Sequence, residues 1–144
     1  MAILGGEPTC PIAHSLDVLG DRWSLLIMRN ALRGETRFSE LRAALGIPRD
    51  ILAARLATLV EGGALARQSY QRPGERARDE YVVTEAGREL GVILAALGEW
   101  GVRNAGGATS LRFSDMTTDE VVGARLVTPE GRVVDTQSVV LTTR

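Results

Sequence analysis

Between Arg37 and Arg78 this chain carries eight arginines (Arg37, Arg42, Arg49, Arg55, Arg67, Arg72, Arg76 and Arg78) against four acids, Glu40, Asp50, Glu61 and Glu75. That is a surplus of four positive charges in a protein whose net charge is −1, and the residues on either side of the window are net negative. Guanidinium groups are planar, permanently charged and able to bridge two oxygens, so a cluster of them suits phosphate and guanine. A basic module between acidic flanks can present one face to a nucleic-acid backbone. The sequence pI of 5.9 taken alone points away from nucleic acid. The distribution of charge decides, not its total.

Other chemistries find little support. Cys10 is the single cysteine and His14 the single histidine, which excludes an internal disulfide and leaves too few ligands for a structural zinc site; no metal and no cofactor are expected. An enzyme would need a nucleophile–base pair, a phosphate loop or metal ligands. None is recognisable, and neither Gly5-Gly6 nor Gly106-Gly107 has the form of a phosphate loop. The start, Met1-Ala2-Ile3-Leu4-Gly5-Gly6, lacks a basic region and a sustained apolar run, and no stretch has the length of a membrane span. A cytoplasmic protein is expected, with no membrane partner. The 144 residues, 44% hydrophobic and 24% charged, fit one ordinary soluble domain with an appendage.

The elements that must position the arginines follow from caps and periodicity. Pro8-Thr9-Cys10-Pro11 reads as a turn, and Pro11 suits the first position of a helix to about Leu19. Asp21 reads as the N-cap of a largely apolar, hence buried, helix to about Leu32. Arg37-Phe38 reads as a short strand, Ser39 as the cap of a helix to about Leu45, and Gly46 as its C′ residue. Pro48 opens the next helix, to about Glu61, with Leu52, Leu56, Leu59 and Val60 inward and Arg49, Asp50, Ala53, Ala54 and Thr58 outward, Arg55 lying near the edge. Two helices joined by a short Gly-containing turn are the helix-turn-helix signature. Ala64–Gln71 and Glu80–Val83 then read as strands flanking the basic tip Arg72–Arg78, a wing, and Thr84 caps a long helix to about Arg103. In the tail, Val121–Thr128 and Arg132–Val140 read as one hairpin about a type I turn at Pro129-Glu130-Gly131. The expected fold is mainly α with a small β wing: a winged helix-turn-helix over residues 1–104 and a C-terminal β-hairpin extension of unassigned role over 105–144.

The ordered set of these residues resembles the HxlR-type winged helix-turn-helix regulators. It is carried by Cys10-Pro11, Gly20-Asp21-Arg22-Trp23, Leu26-Ile27, Arg37-Phe38-Ser39-Glu40-Leu41, Gly46-Ile47, Arg55-Leu56 and Leu59. It continues through Gly63-Ala64-Leu65, Arg67, Pro73, Glu80-Tyr81, Thr84-Glu85-Ala86-Gly87 and Trp100-Gly101. It covers Cys10 to about Gly101. Pro48 departs from it, standing where a small polar cap is common, and the wing tip is longer and richer in Arg. The resemblance implies a bacterial, dimeric, DNA-binding transcriptional regulator, often a repressor. It further implies dimer contacts from the N-terminal helix (Ile12, Leu16) and the long C-terminal helix (Leu90, Ile93, Leu94, Leu97, Trp100). Cys10 matches a position at which several members sense electrophiles or oxidants.

With that frame, the second helix of the pair would enter the major groove of a palindromic operator. Arg49 and Arg55 are candidates for base or phosphate contact, Asp50 for a cytosine amino group, and Thr58 for the same face. Arg37, Ser39 and Arg42 from the preceding segment are further DNA-binding candidates, and Arg72, Arg76 and Arg78 from the wing would meet backbone phosphates or an adjacent minor groove. The competing reading is a winged helix kept for protein contacts, its charges merely solvated. Cys10 stands immediately before a helix-starting proline, where unpaired N–H groups and the helix dipole favour a thiolate, the form oxidants attack. Its plainer role is a small residue filling an interface. Trp23 and Trp100 read as core or interface anchors, with a pocket-lining role as the alternative, and His14 as a surface or interface residue; the expected effector is an electrophile or oxidant acting through Cys10, or a small ligand.

Overall fold

The computed structural model of the chain describes residues 10–108 and 111–142; Pro8 and Thr9 of the expected first turn, and the Met1–Gly6 start, lie outside them. The chain divides into two compact units, Met1–Gly91 and Val92–Arg144. In order, the elements are α1 Pro11–Leu19, α2 Arg22–Leu32, α3 Phe38–Leu45, α4 Arg49–Glu61, β1 Leu65–Tyr70, β2 Arg78–Val83 and α5 Glu85–Asn104. Four two-residue strands follow: β3 Phe113–Ser114, β4 Val121–Val122, β5 Leu126–Val127 and β6 Val133–Val134, then a 3-10 turn at Thr136–Ser138. Among the described residues no helix is long and apolar enough to cross a membrane.

Side-chain hydrogen bonds close the starts of α2 and α3. Asp21 Oδ1 accepts from the backbone N–H groups of Trp23 (2.8 Å) and Ser24 (3.0 Å), and Oδ2 accepts from the buried Ser24 hydroxyl (2.9 Å). Two of the backbone N–H groups that α2 would otherwise leave open, and one buried hydroxyl, are therefore closed by one side chain. Asn30, also fully enclosed, donates to Glu35 (2.7 Å) and accepts from Arg29 (2.8 Å). The start of α3 corrects the sequence reading. Phe38 is helical, and Ser39 is the second residue of the helix rather than its cap. The Glu40 carboxylate reaches back to the N–H groups of Arg37 (3.1 Å) and Thr36 (3.2 Å). An ionised acceptor that closes two donors displaces a serine hydroxyl from that job. Of the expected strand only Arg37 remains, extended and bridged to Glu80.

Gly46 ends α3 in the left-handed region (φ 62°), donating to the Arg42 carbonyl at 3.0 Å. Three residues later α4 begins, with Pro48 at its N-cap rather than inside it. Leu52, Leu56 and Leu59 on α4 are fully enclosed with Ile27 and Met28 of α2, Leu41 of α3, Ile47 of the turn and Leu65 of β1. Each such side chain contributes about 1.5–3 kcal/mol by leaving water. This core locks α3 and α4 into the helix-turn-helix and ties the wing to them. The wing is an antiparallel pair in the register Leu65↔Val83 to Tyr70↔Arg78. At its tip the Glu75 N–H donates to the Arg72 carbonyl (3.0 Å), with Pro73 next and Gly74 at φ 80°. That is a type II turn, whose third residue needs the positive φ that glycine allows. Thr84 caps α5 as expected, its hydroxyl oxygen accepting from Gly87 N–H at 3.0 Å.

In the second unit the single expected tail hairpin is two shorter ones. Val121–Val122 pairs back with Phe113–Ser114, while Leu126–Val127 pairs with Val133–Val134. The expected strand is broken at Gly123-Ala124 because the Ala124 N–H donates to Glu99 of α5 (2.8 Å) instead of to a neighbouring strand. The turn itself is as read. The Gly131 N–H donates to the Thr128 carbonyl (2.8 Å), and Gly131 is left-handed at φ 86°, a type I turn closed by a bulge. After β6, the Asp135 side chain accepts from Gln137 N–H (2.9 Å) and turns the chain out of the strand.

Candidate nucleic-acid interface

The N-terminal ends of α3 and α4 and the loop-side half of the wing strands line a cleft of about 480 Å³ formed by Arg37, Phe38, Ser39, Arg49, Tyr70, Arg78, Asp79 and Tyr81. Aromatic rings hold two of its arginines. The Arg37 guanidinium carbon lies 4.8 Å from the centre of the Tyr70 ring, and that of Arg49 lies 5.3 Å from the centre of Phe38. A ring face attracts the cation yet leaves its edge donors free, so the guanidinium is oriented without being neutralised. The Glu40 carboxylate is 3.9 Å from Arg37, a weak ion pair beside the ring contact. One backbone and one side-chain bond fix the cleft's geometry: Tyr81 N–H donates to the Thr36 carbonyl (2.7 Å), and the Thr36 hydroxyl donates to the Glu80 carboxylate (3.1 Å).

The remaining candidates divide. Arg42 is exposed and, with Ser39, lines a second, open depression of about 450 Å³ beside Gly46. On α4, Arg49, Asp50, Ala53, Ala54 and Ala57 are exposed, so the outward face offers charge at its first turn and small residues behind it. On the wing, Arg72, Arg76 and Arg78 are all exposed. Two α4 candidates are engaged elsewhere: Arg55 faces Asp21 at 3.2 Å, and the Thr58 hydroxyl donates to the Ala54 carbonyl (3.1 Å). Arg67, part of the basic window, makes two close contacts with the Asp79 carboxylate (2.6 and 2.8 Å) and so brings little net charge to the face. Phe38 and Tyr70 were overlooked as site residues in the sequence. The available signal was an aromatic directly beside an arginine and another at the last position of the strand entering a basic loop.

Away from the cleft, Cys10 is the N-cap residue of α1, half-buried, with its carbonyl accepting from His14 N–H (3.1 Å). The apolar residues Ile12 and Leu16 on α1, and Ile93, Leu97 and Trp100 on α5, are exposed. Leu94 is buried within its own chain and Leu90 is half-buried.

Two helices joined by a glycine turn, with an antiparallel wing against them and cationic side chains at their common edge, define a winged helix-turn-helix. The family model described as HxlR-like helix-turn-helix matches residues 18–108, and the chain belongs to that family. It is 44% identical over 90 residues to Rv3095, an uncharacterized HTH-type transcriptional regulator of Mycobacterium tuberculosis strain H37Rv. That match covers 62% of this chain, and the chain spans 56% of the length of that relative. Among solved structures the chain is similar to PA1607, a candidate transcription factor, with a TM-score of 0.78 and 32% identity over 96% of this chain and 97% of that one. It is also similar to the redox regulator HypR in its reduced form, with a TM-score of 0.60 and 31% identity over 67% of this chain and 94% of HypR. The family and these relatives are transcriptional regulators, not enzymes.

Proposed function

We propose that the protein is a cytoplasmic, sequence-specific DNA-binding regulator, a repressor that binds a palindromic operator as a homodimer. The observation that carries this reading is the cleft in which Arg37 and Arg49, each held on an aromatic face, stand beside Arg78 of the wing. In this reading α4 enters the major groove with Arg49 and Asp50 toward the bases, Ser39 and Arg42 flank it, and Arg72, Arg76 and Arg78 grip the backbone. The exposed apolar residues of α1 and α5 support self-association, which sets two α4 helices about one DNA turn (~34 Å) apart. Selection of bound sequences from a genomic fragment library is the test. The expected result is a palindrome, bound with a log–log salt slope of about −7 for roughly four phosphates neutralised per half-site. Failure to retard any DNA at low salt, its own promoter included, would favour a protein-interaction module instead.

A second element of the reading is regulation through Cys10. It rests on the position of that thiol at the N-terminus of α1 and on the similarity to HypR, a redox regulator. Oxidation would give a sulfenic acid, a mixed disulfide with a small thiol or a bridge between subunits. Operator binding that responds identically to diamide in the wild type and in Cys10→Ser would rule this out.

A further inference from the structure

The C-terminal unit holds a cavity of about 670 Å³ between the second half of α5 and the first tail hairpin. Gly98 and Val102 on the helix side face Leu111, Phe113, Val121 and Val122 on the hairpin side. Gly98 has no side chain and Val102 a short one, so this part of the slot is lined by small and apolar groups. The volume lies in the range of sites for drug-sized molecules.

One edge of the slot is charged, and the charges there do not balance. Glu99 Oε1 is occupied by the Ala124 N–H (2.8 Å), while Oε2 faces two guanidiniums, Arg125 Nη1 at 3.0 Å and Arg103 Nη1 at 3.4 Å. Two cations share one carboxylate, and both have more than half of their side-chain surface open. Arg112, also lining the cavity, faces Asp119 at 3.5 Å and so is matched. The local surplus is one positive charge at the mouth of an apolar slot.

We infer that this cavity binds a small amphipathic anion: a flat apolar body lies between α5 and β3–β4, and a single carboxylate bridges Arg103 and Arg125. These residues are remote in sequence from the cleft at α3 and α4. The arrangement uses each part for what it does best. The walls remove apolar surface from water, and the unmatched cation supplies a charge-assisted bond that a neutral analogue cannot form.

The test is calorimetric titration of the full chain with 2-naphthoate, 2-naphthamide and acetate. Expected is one saturable site per chain for 2-naphthoate, at least about tenfold weaker binding of the amide, and no site for acetate, which lacks the apolar body. Val102→Trp, which fills the slot, should abolish binding. Arg103→Gln should weaken it by about tenfold while leaving the Glu99–Ala124 bond and the fold intact. Amide shift changes on titration should cluster at residues 98–103 and 111–125. No saturable binding of 2-naphthoate at about 1 mM, equal binding of acid and amide, or binding unchanged in both variants would overturn the inference. Should Val102→Trp prove unfolded by circular dichroism, Arg103→Gln and the shift map decide alone.

Discussion

Arg55 Nε stands 3.2 Å from Asp21 Oδ2, which joins the edge of α4 to the cap of α2. The contact is an ion pair rather than a hydrogen bond, because the buried Nε–H makes no aligned bond among the described residues. The Asp21 carboxylate also accepts from two backbone N–H groups and a hydroxyl. An arginine that sequence reading assigned to DNA is therefore held by the scaffold.

Asp21→Ala should cost about 1–2 kcal/mol through the lost cap alone, and more because Arg55 loses its counter-charge. Arg55→Gln should lower the urea midpoint yet leave the salt slope of operator binding unchanged. A slope that falls by about one per half-site would instead put Arg55 on a phosphate.

The aromatic supports of the cleft predict an effect without a change of charge. Tyr70→Ala should weaken operator binding about two- to fivefold per protomer, matching a cation–π contact of about 0.5–1 kcal/mol. Tyr70→Phe keeps the ring face under Arg37 and should bind like the wild type. Filter-binding titrations of both variants at one salt concentration check this pair.

The wing should act on every DNA sequence alike. Arg76→Ala in both protomers is expected to reduce the salt slope by about 2, and to weaken specific and non-specific DNA equally. Preferential loss at the operator would show that Arg76 reads bases.

Two glycines of α5 should respond oppositely to alanine. A Cβ on Gly87 would collide with the Ala64 backbone carbonyl and crowd Val83, whereas one on Gly91 meets nothing. Gly87→Ala should cost about 1–3 kcal/mol by overpacking, and Gly91→Ala should add up to about 1 kcal/mol through helix propensity. Denaturant titrations of the two variants make the comparison.

Acid should release the tail. The Ala124 N–H, then Arg125 and Arg103, hold the Glu99 carboxyl below its ordinary value of 4.5. A carboxylate whose folded value is lowered contributes its stability fully above that ordinary value and loses it as pH falls through the lowered one. Amide exchange at Ala124, corrected for its intrinsic pH dependence, should therefore accelerate below about pH 4, and Glu99→Gln should remove the acid dependence. Exchange that stays protected at about pH 2 would show that other contacts hold the segment.

Local signals carried much of this molecule. Asp21, Gly46, Thr84 and Gly131 each act over a few residues, so α2, the helix-turn-helix, the start of α5 and the tail turn could be read in order from the sequence. Where two local signals competed, as with Ser39 and Glu40 at the start of α3, the reading failed by a residue or two. The basic window was equally plain, because charge is a property of the chain itself.

What only the tertiary structure decided was which charges remain available. Arg55 and Arg67 look like Arg49 and Arg76 in the sequence, yet one faces Asp21 across 34 residues and the other Asp79 across the wing. The tail shows the same limit, since the Glu99–Ala124 bond that splits its hairpin spans 25 residues. Composition fixes how many cations the chain owns. Their free number depends on carboxylates brought near by folding, because ion pairing acts over a few ångströms of space regardless of separation along the chain.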